Sequence, residues 1–186
     1  MLRRTLDRLY DSGFVLAALA LVAIAGLVLV QVAGRVIDRS LIAMGREPVG
    51  IAITSLSELG GFLFVGAAFL ALAGCLRAGG HVRVTMLTDN LPAPLARPLA
   101  ALVVVAALGL CGFALYSAFV QARDSYSFDA VSFGMAKFPL WVPQAVMVAG
   151  LMLLALALVD ELVTLVRGDT PAWRRAEEEK GAKHGH

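Results

Sequence analysis

The sequence is poor in charged residues. Only 16% of its 186 residues are charged and 59% are hydrophobic, whereas about one quarter of a typical soluble domain is charged. The net charge of +2 is too small to predict nucleic-acid binding. This composition argues against a soluble globular protein and indicates a membrane protein.

Histidine and cysteine are also scarce, and their positions exclude the common cofactor sites. The three histidines lie outside the long apolar runs, so no histidine pair can hold a haem inside a membrane span. Cys75 and Cys111 lie within apolar runs, where we interpret them as packing residues. The sequence has no glycine-rich phosphate loop and no nucleophile elbow. We therefore predict that the chain is not an enzyme and carries no cofactor.

Four runs without a charged residue are long enough to cross a bilayer. Each has about 18 residues or more, the length that a helix needs to span about 30 Å of hydrocarbon. We predict an all-α polytopic protein, with one transmembrane domain at 1–166 and a charged cytoplasmic tail at 167–186. The predicted helices lie at approximately 12–36, 50–77, 98–122 and 138–162.

The basic residues predict the orientation of these helices. The side that holds both termini and the central loop carries eleven of the 16 Lys and Arg residues, and the other side carries five. The positive-inside rule therefore places both termini in the cytoplasm. Trp141 opens the fourth apolar run, where an interfacial aromatic side chain is expected.

The stretch 58–91 is the most distinctive part of the sequence. It opens with Glu58, continues without a charge to position 76, and leaves the apolar run at Arg77. Small residues, including Gly60 and Gly61, fall near one face of the predicted helix. Small side chains let a second helix approach closely where lipid gives no hydrophobic drive. We therefore predict a helix-packing surface here.

A short amphipathic segment follows this span. Gly80 belongs to a double glycine, whose backbone can adopt angles that other residues avoid. The apolar spacing after it predicts an interfacial helix at 82–91, between the second and third membrane helices. His81 and Arg83 lie beside the glycines. Two interpretations stay open for them: contact with lipid headgroups, or docking on the cytoplasmic surface of a partner.

Glu58 is the one acid near the interior of a span, where a charge costs a few kcal/mol. Arg35 ends the first helix on the same side of the membrane, one turn after Gln31. We hypothesise that Arg35 and Glu58 pair and fix the angle between the first two helices. Two alternatives stay open: Glu58 lies unpaired in the headgroup zone, or it is an ion-coupling carboxylate.

Taken in order, these features resemble the small permease subunit of tripartite ATP-independent periplasmic (TRAP) transporters. The resemblance covers about 9–166. It rests on the four spans, on Gln31-x-x-x-Arg35, on Glu58 at the start of the second helix, and on the exit Arg-Ala-Gly-Gly-His-Val-Arg-Val-x-x-Leu at 77–87.

The resemblance implies a non-enzymatic, multi-pass subunit of a bacterial inner membrane. In that family a large membrane subunit carries substrate and sodium by an elevator-type movement. A periplasmic binding protein delivers an organic acid such as a dicarboxylate, a keto acid or a sialic acid. The small subunit braces the large one. The implied partners are thus the large permease subunit, the binding protein and membrane lipids, and the loops 39–49 and 123–137 would face the periplasm.

Two other functions stay open from the residues alone. A self-associating small channel or transporter would need a polar stripe along a pore, and no span shows one. An accessory or anchor subunit of another membrane complex is compatible with spans that lack histidine. In every case the candidate residues for structure or partner contact are Gln31, Arg35, Glu58, Gly60, Gly61, Arg77, Gly80, His81, Arg83 and Trp141.

Overall fold

The computed structural model describes residues 2–50, 55–78 and 93–168. These ranges contain no β-strand, only an isolated bridge between Val131 and Pro139. Four helices in them are long and apolar enough to cross a membrane, which confirms the predicted architecture. The helices are α1 (Leu2–Ala43), α2 (Leu56–Arg77), α3 (Ala93–Ser127) and α4 (Trp141–Val166). The predicted interfacial helix at 82–91, with Gly80, His81 and Arg83, lies outside the described residues.

The first helix is much longer than its apolar run predicts. Its 42 residues correspond to about 63 Å at 1.5 Å per residue, roughly twice the thickness of the hydrocarbon core. The sequence prediction ended this helix at 36 because Arg35 marks the end of the uncharged stretch. Charged residues do not stop a helix, however, and no proline interrupts α1.

The second helix is shorter than predicted. The predicted start at position 50 is wrong, because Ser55 has a φ of 59° and therefore a left-handed backbone that cannot continue a right-handed helix. The 22 residues of α2 span about 33 Å, close to the hydrocarbon thickness. The helix can therefore cross the hydrocarbon core without a large tilt.

The helices are ordered α1, α2, α4, α3 across the molecule. Within the described residues, α2 packs against α1 on one side and α4 on the other, and α3 packs against α4. Two groups of buried side chains join them. One lies between α3 and α4 around Cys111 and Leu151, and the other joins α1, α2 and α4 around Tyr10.

Glycines allow α2 to approach both of its neighbours closely. A Cβ added to Gly74 would lie 3.1 Å from Cδ2 of Phe14 on α1. A Cβ added to Gly150 on α4 would lie 2.5 Å from the carbonyl oxygen of Phe69 on α2. Two helix backbones can touch only where one lacks a side chain, so these glycines set the spacing of the row.

Candidate functional site

The end of the molecule where α2 begins, called here the Glu58 end, is covered by the segment 128–140 between α3 and α4, called here the connector. Ser132 is its centre and is only 8% exposed. Its backbone N–H donates to the carbonyl oxygen of Phe138 at 2.8 Å, and the Phe138 N–H donates to the Ser132 hydroxyl at 3.2 Å. The N–H of Leu140 donates to the carbonyl oxygen of Ala130 at 3.0 Å. These bonds fold the connector back on itself, so α4 begins at Trp141 and not at 138 as predicted.

Three contacts hold the connector against the start of α2. The N–H of Ala136 donates to the Ser55 hydroxyl at 3.1 Å. The rings of Phe62 and Phe138 meet edge to face, with their centroids 6.1 Å apart. The third contact is made by Glu58, which is half-buried. The connector is therefore a fixed element of the structure and not a loose loop.

Glu58 contacts the connector and not α1. Its Oε2 lies 3.3 Å from the hydroxyl of Ser132, which can donate its proton either there or to the Ala136 carbonyl oxygen at 3.0 Å. A Cβ on Gly134 would overlap the Glu58 carboxylate, so a larger residue at that position of the connector would displace the Glu58 side chain.

The structure does not form the hypothesised pair of Arg35 and Glu58. Arg35 is exposed, and within the described ranges no ion pair joins it to Glu58. The reason is that α1 runs on past Arg35 to Ala43, while the connector occupies the carboxylate. No sequence pattern indicated this contact, because Ser132 lies 74 positions away from Glu58.

Trp141 lies where the sequence predicted, at the start of a membrane helix. It is exposed, and its ring meets the ring of Tyr126 edge to face at 5.7 Å between centroids. The pair joins the last turn of α3 to the first turn of α4. Its position at the ends of two membrane helices is typical of an interfacial aromatic belt.

The far end of α1 is closed by a contact that the sequence analysis missed. Asp38 Oδ1 accepts hydrogen bonds from the N–H groups of Val49 at 2.8 Å and Gly50 at 3.1 Å. The segment after α1 therefore turns back along the helix. An aspartate followed by a glycine-containing loop is the local signal, but its partners are eleven and twelve positions away.

The two glycines selected from the sequence play no part in packing among the described residues. A Cβ on Gly60 or on Gly61 would meet no atom within 4 Å. The close approaches occur instead at Gly13, Gly74, Gly134 and Gly150. Composition alone cannot distinguish these positions, because every one of them is a glycine in or beside an apolar run.

Three helices meet at the opposite end of the molecule, called here the Arg77 end. The Arg77 guanidinium lies over the ring of Tyr10, 5.0 Å from its centroid, and this cation–π contact links α2 to α1. Tyr10 is 1% exposed and packs against Ala73 and Ala157. Glu161 follows Ala157 by one helical turn and is 3% exposed.

Arg77 is thus part of the packed structure, in addition to marking the end of a span. Tyr10 and Glu161 were not among the predicted site residues. The sequence prediction ended the fourth helix near Glu161, yet α4 continues to Val166. An acid in the last apolar turn of a membrane helix is the signal that identifies Glu161.

Gln31, on α1, is half-buried.

A search of the described residues for metal sites finds no group of three or more His, Cys, Asp or Glu side chains that could hold an ion.

One protein-family model matches residues 24–168, more than half of the chain, and is described as "Tripartite ATP-independent periplasmic transporters, DctQ component". The match includes the second half of α1 and all of α2, α3 and α4, and so it contains the connector and Glu58. No curated protein gives a significant match to the chain.

Proposed function

The chain belongs to the DctQ family of tripartite ATP-independent periplasmic transporters, and on that premise we propose that it braces the large permease subunit of such a transporter. DctQ proteins are the small membrane subunit, and their family is not an enzyme family. The match to this family over residues 24–168 is the observation that carries the proposal.

The proposed partners follow from the tripartite architecture. The large membrane subunit couples uptake to sodium, and a periplasmic binding protein delivers an organic acid of the dicarboxylate, keto acid or sialic acid class. The chain is a multi-pass protein of the bacterial inner membrane with both termini in the cytoplasm. Substrate specificity and ion coupling belong to the partner proteins in this proposal.

The geometry supports bracing more than transport by this chain alone. Glu58, the candidate for an ion-coupling carboxylate, contacts the connector through Ser132 and so contributes to holding the structure together. Most of the large apolar side chains of α1 and α3 are exposed. Examples are Leu29 on α1 and Leu110 and Phe113 on α3. Such surfaces suit contact with lipid or with another membrane protein, and they extend the membrane footprint of whatever the row of helices binds.

The experiment is an affinity purification of the tagged chain from its native membranes in mild detergent, followed by mass spectrometry. We expect a large polytopic membrane protein in about equal amount and a periplasmic binding protein in lower yield. The ligand of that binding protein then identifies the substrate. The matched control is an unrelated four-helix membrane protein with the same tag, which should recover neither.

Reconstitution distinguishes a brace from a transporter. Vesicles that contain the chain and its large partner should take up the identified acid when a sodium gradient and the binding protein are supplied, and vesicles with the chain alone should take up none. Recovery of the chain as a homo-oligomer without a polytopic partner would contradict the proposal. Uptake by the chain alone would contradict it as well.

A further inference from the structure

The connector has two different faces. The exposure of its residues alternates along 131–137, although the backbone bends at 133–136. Ser132, Gly134 and Ala136 are buried or half-buried, while Phe133 is fully exposed and Met135 is 90% exposed. The outward face, which consists of Val131, Phe133, Met135 and Lys137, therefore presents three apolar side chains and one basic side chain.

The outward face is held in place by the inward one. Three contacts fix the two halves of the connector: the bridge between Val131 and Pro139, the hydrogen bond from Ala136 to Ser55, and the ring contact of Phe138 with Phe62. Phe133 and Met135 thus project because the backbone is folded that way. Two neighbouring apolar side chains held outwards in this way lose less free energy in an apolar environment than in water.

The depth of the connector in the membrane follows from its contacts. It is tied to Ser55, which immediately precedes α2, and α2 is about 33 Å long, close to the hydrocarbon thickness. The connector therefore lies at the level where α2 leaves the hydrocarbon. The ring pair of Tyr126 and Trp141, at the two ends of the connector, marks the same level.

The chemistry of the outward face matches a lipid surface better than a soluble protein. Interfacial segments combine apolar side chains, which enter the boundary of headgroups and acyl chains, with Lys or Arg beside anionic headgroups. Protein interfaces are depleted in Lys, although they are enriched in Phe and Met, and a single line of side chains is narrow for a stable protein complex.

We propose that the outward face inserts into the boundary between headgroups and acyl chains of the bilayer and anchors the Glu58 end at a fixed depth. Phe133 and Met135 enter the boundary, and the Lys137 ammonium meets lipid phosphate. The partner is the membrane itself and not a second protein.

The experiment measures which medium surrounds the connector. An environment-sensitive fluorophore is attached to Phe133→Cys in a chain with Cys75→Ala and Cys111→Ala, purified with its native partners and placed in nanodiscs containing phosphatidylglycerol. We expect nitroxide-labelled lipid to quench this probe at least about twice as strongly as aqueous iodide does. A probe at Met44→Cys, exposed in the segment after α1, is the control and should show the opposite order.

Two results would overturn the proposal. Strong quenching by iodide with little quenching by the lipid would show that Phe133 faces water. Protection from both quenchers would show that a protein covers it. Retention of the co-purifying partners by the labelled chain verifies that each variant is folded.

The role of Lys137 is tested separately. With the probe at Met135→Cys, the change Lys137→Glu should reduce lipid quenching in discs that contain phosphatidylglycerol and leave it unchanged in discs of phosphatidylcholine. Lys137→Gln should have a smaller effect in the same direction. Equal quenching of Lys137→Glu and the parent in both kinds of disc would overturn the contact with anionic lipid.

Discussion

At the scale of single residues, Glu58 shows how a contact with a distant segment changes the interpretation of a charge. From the sequence it was a charge near hydrocarbon, and its pairing with Arg35 was one of three interpretations. In the structure its carboxylate accepts a hydrogen bond from Ser132 and lies against the backbone at Gly134. A hydroxyl group and a missing side chain therefore accommodate the carboxylate where an arginine was expected.

Gly134 and Glu58 should be energetically coupled. A Cβ at Gly134 displaces the Glu58 carboxylate and breaks its bond to Ser132, so we expect Gly134→Ala to lower the free energy of unfolding by about 1–3 kcal/mol. In a Glu58→Ala background the space beside position 134 is empty. Gly134→Ala should then lower the free energy of unfolding by less than about 0.5 kcal/mol. A double-mutant cycle by reversible unfolding in mixed micelles measures both values.

Ser57→Ala is the control for this cycle, because Ser57 is exposed on α2. This substitution should change the free energy of unfolding little. Equal costs of Gly134→Ala in the two backgrounds would show that Glu58 and Gly134 do not share this space.

At the scale of elements, α2 is the helix that links α1, α4 and the connector. It contacts α1 and α4, and it receives the connector through Ser55 and Glu58. Its contact with α4 is a close approach of two helices, because the backbone at Phe69 lies against Gly150. Membrane helices gain stability from such close packing, because moving an apolar side chain from lipid into a helix interface gives little hydrophobic stabilisation.

We expect Gly150→Ala to destabilise the pair α2 and α4. The added Cβ meets a backbone atom, so one helix must move, at a cost of about 1–3 kcal/mol. Gly109→Ala in α3 is the matched control, because a Cβ there meets nothing within 4 Å. Its better helix propensity should leave stability unchanged or raise it by up to about 1 kcal/mol. Thermal unfolding in detergent compares the two, and similar midpoints would contradict the close approach.

At the scale of the whole molecule, the open order α1, α2, α4, α3 places a long first helix at one edge. α1 is held by Tyr10 and Phe14 near its beginning, while its far end is folded on itself through Asp38. Because Tyr10 contacts both α2 and α4, it joins the edge helix to the rest of the row.

Tyr10→Ala should therefore loosen α1 from the other helices. Removing a fully buried aromatic side chain costs about 3–5 kcal/mol, and the cation–π contact with Arg77 is lost with it. Tyr116→Ala is the matched control, since Tyr116 is exposed on α3 and should cost less than about 0.5 kcal/mol. Chemical denaturation and proteolysis of α1 in detergent provide the measurement. If both tyrosines gave the same loss, α1 would have to be held elsewhere.

The sequence by itself determined the number of membrane helices, the family, and the approximate place of each span. These depend on local composition, since about 20 apolar residues suffice to define a helix in hydrocarbon. It also predicts Trp141 as an interfacial aromatic, because such a residue belongs at the end of an apolar run, and Trp141 is the first residue of α4. It could not set the length of α1, since nothing in hydropathy distinguishes a helix that stops at Arg35 from one that continues to Ala43.

Only the tertiary structure decided which residues meet. The partner of Glu58, the glycines that separate helix backbones, and the burial of Tyr10 and Glu161 depend on segments that are tens of positions apart. Because the sequence has many glycines and few charges, several ways of pairing the helices look equally good from the sequence alone. Helix packing selects among them, because two backbones approach closely only where both surfaces are complementary.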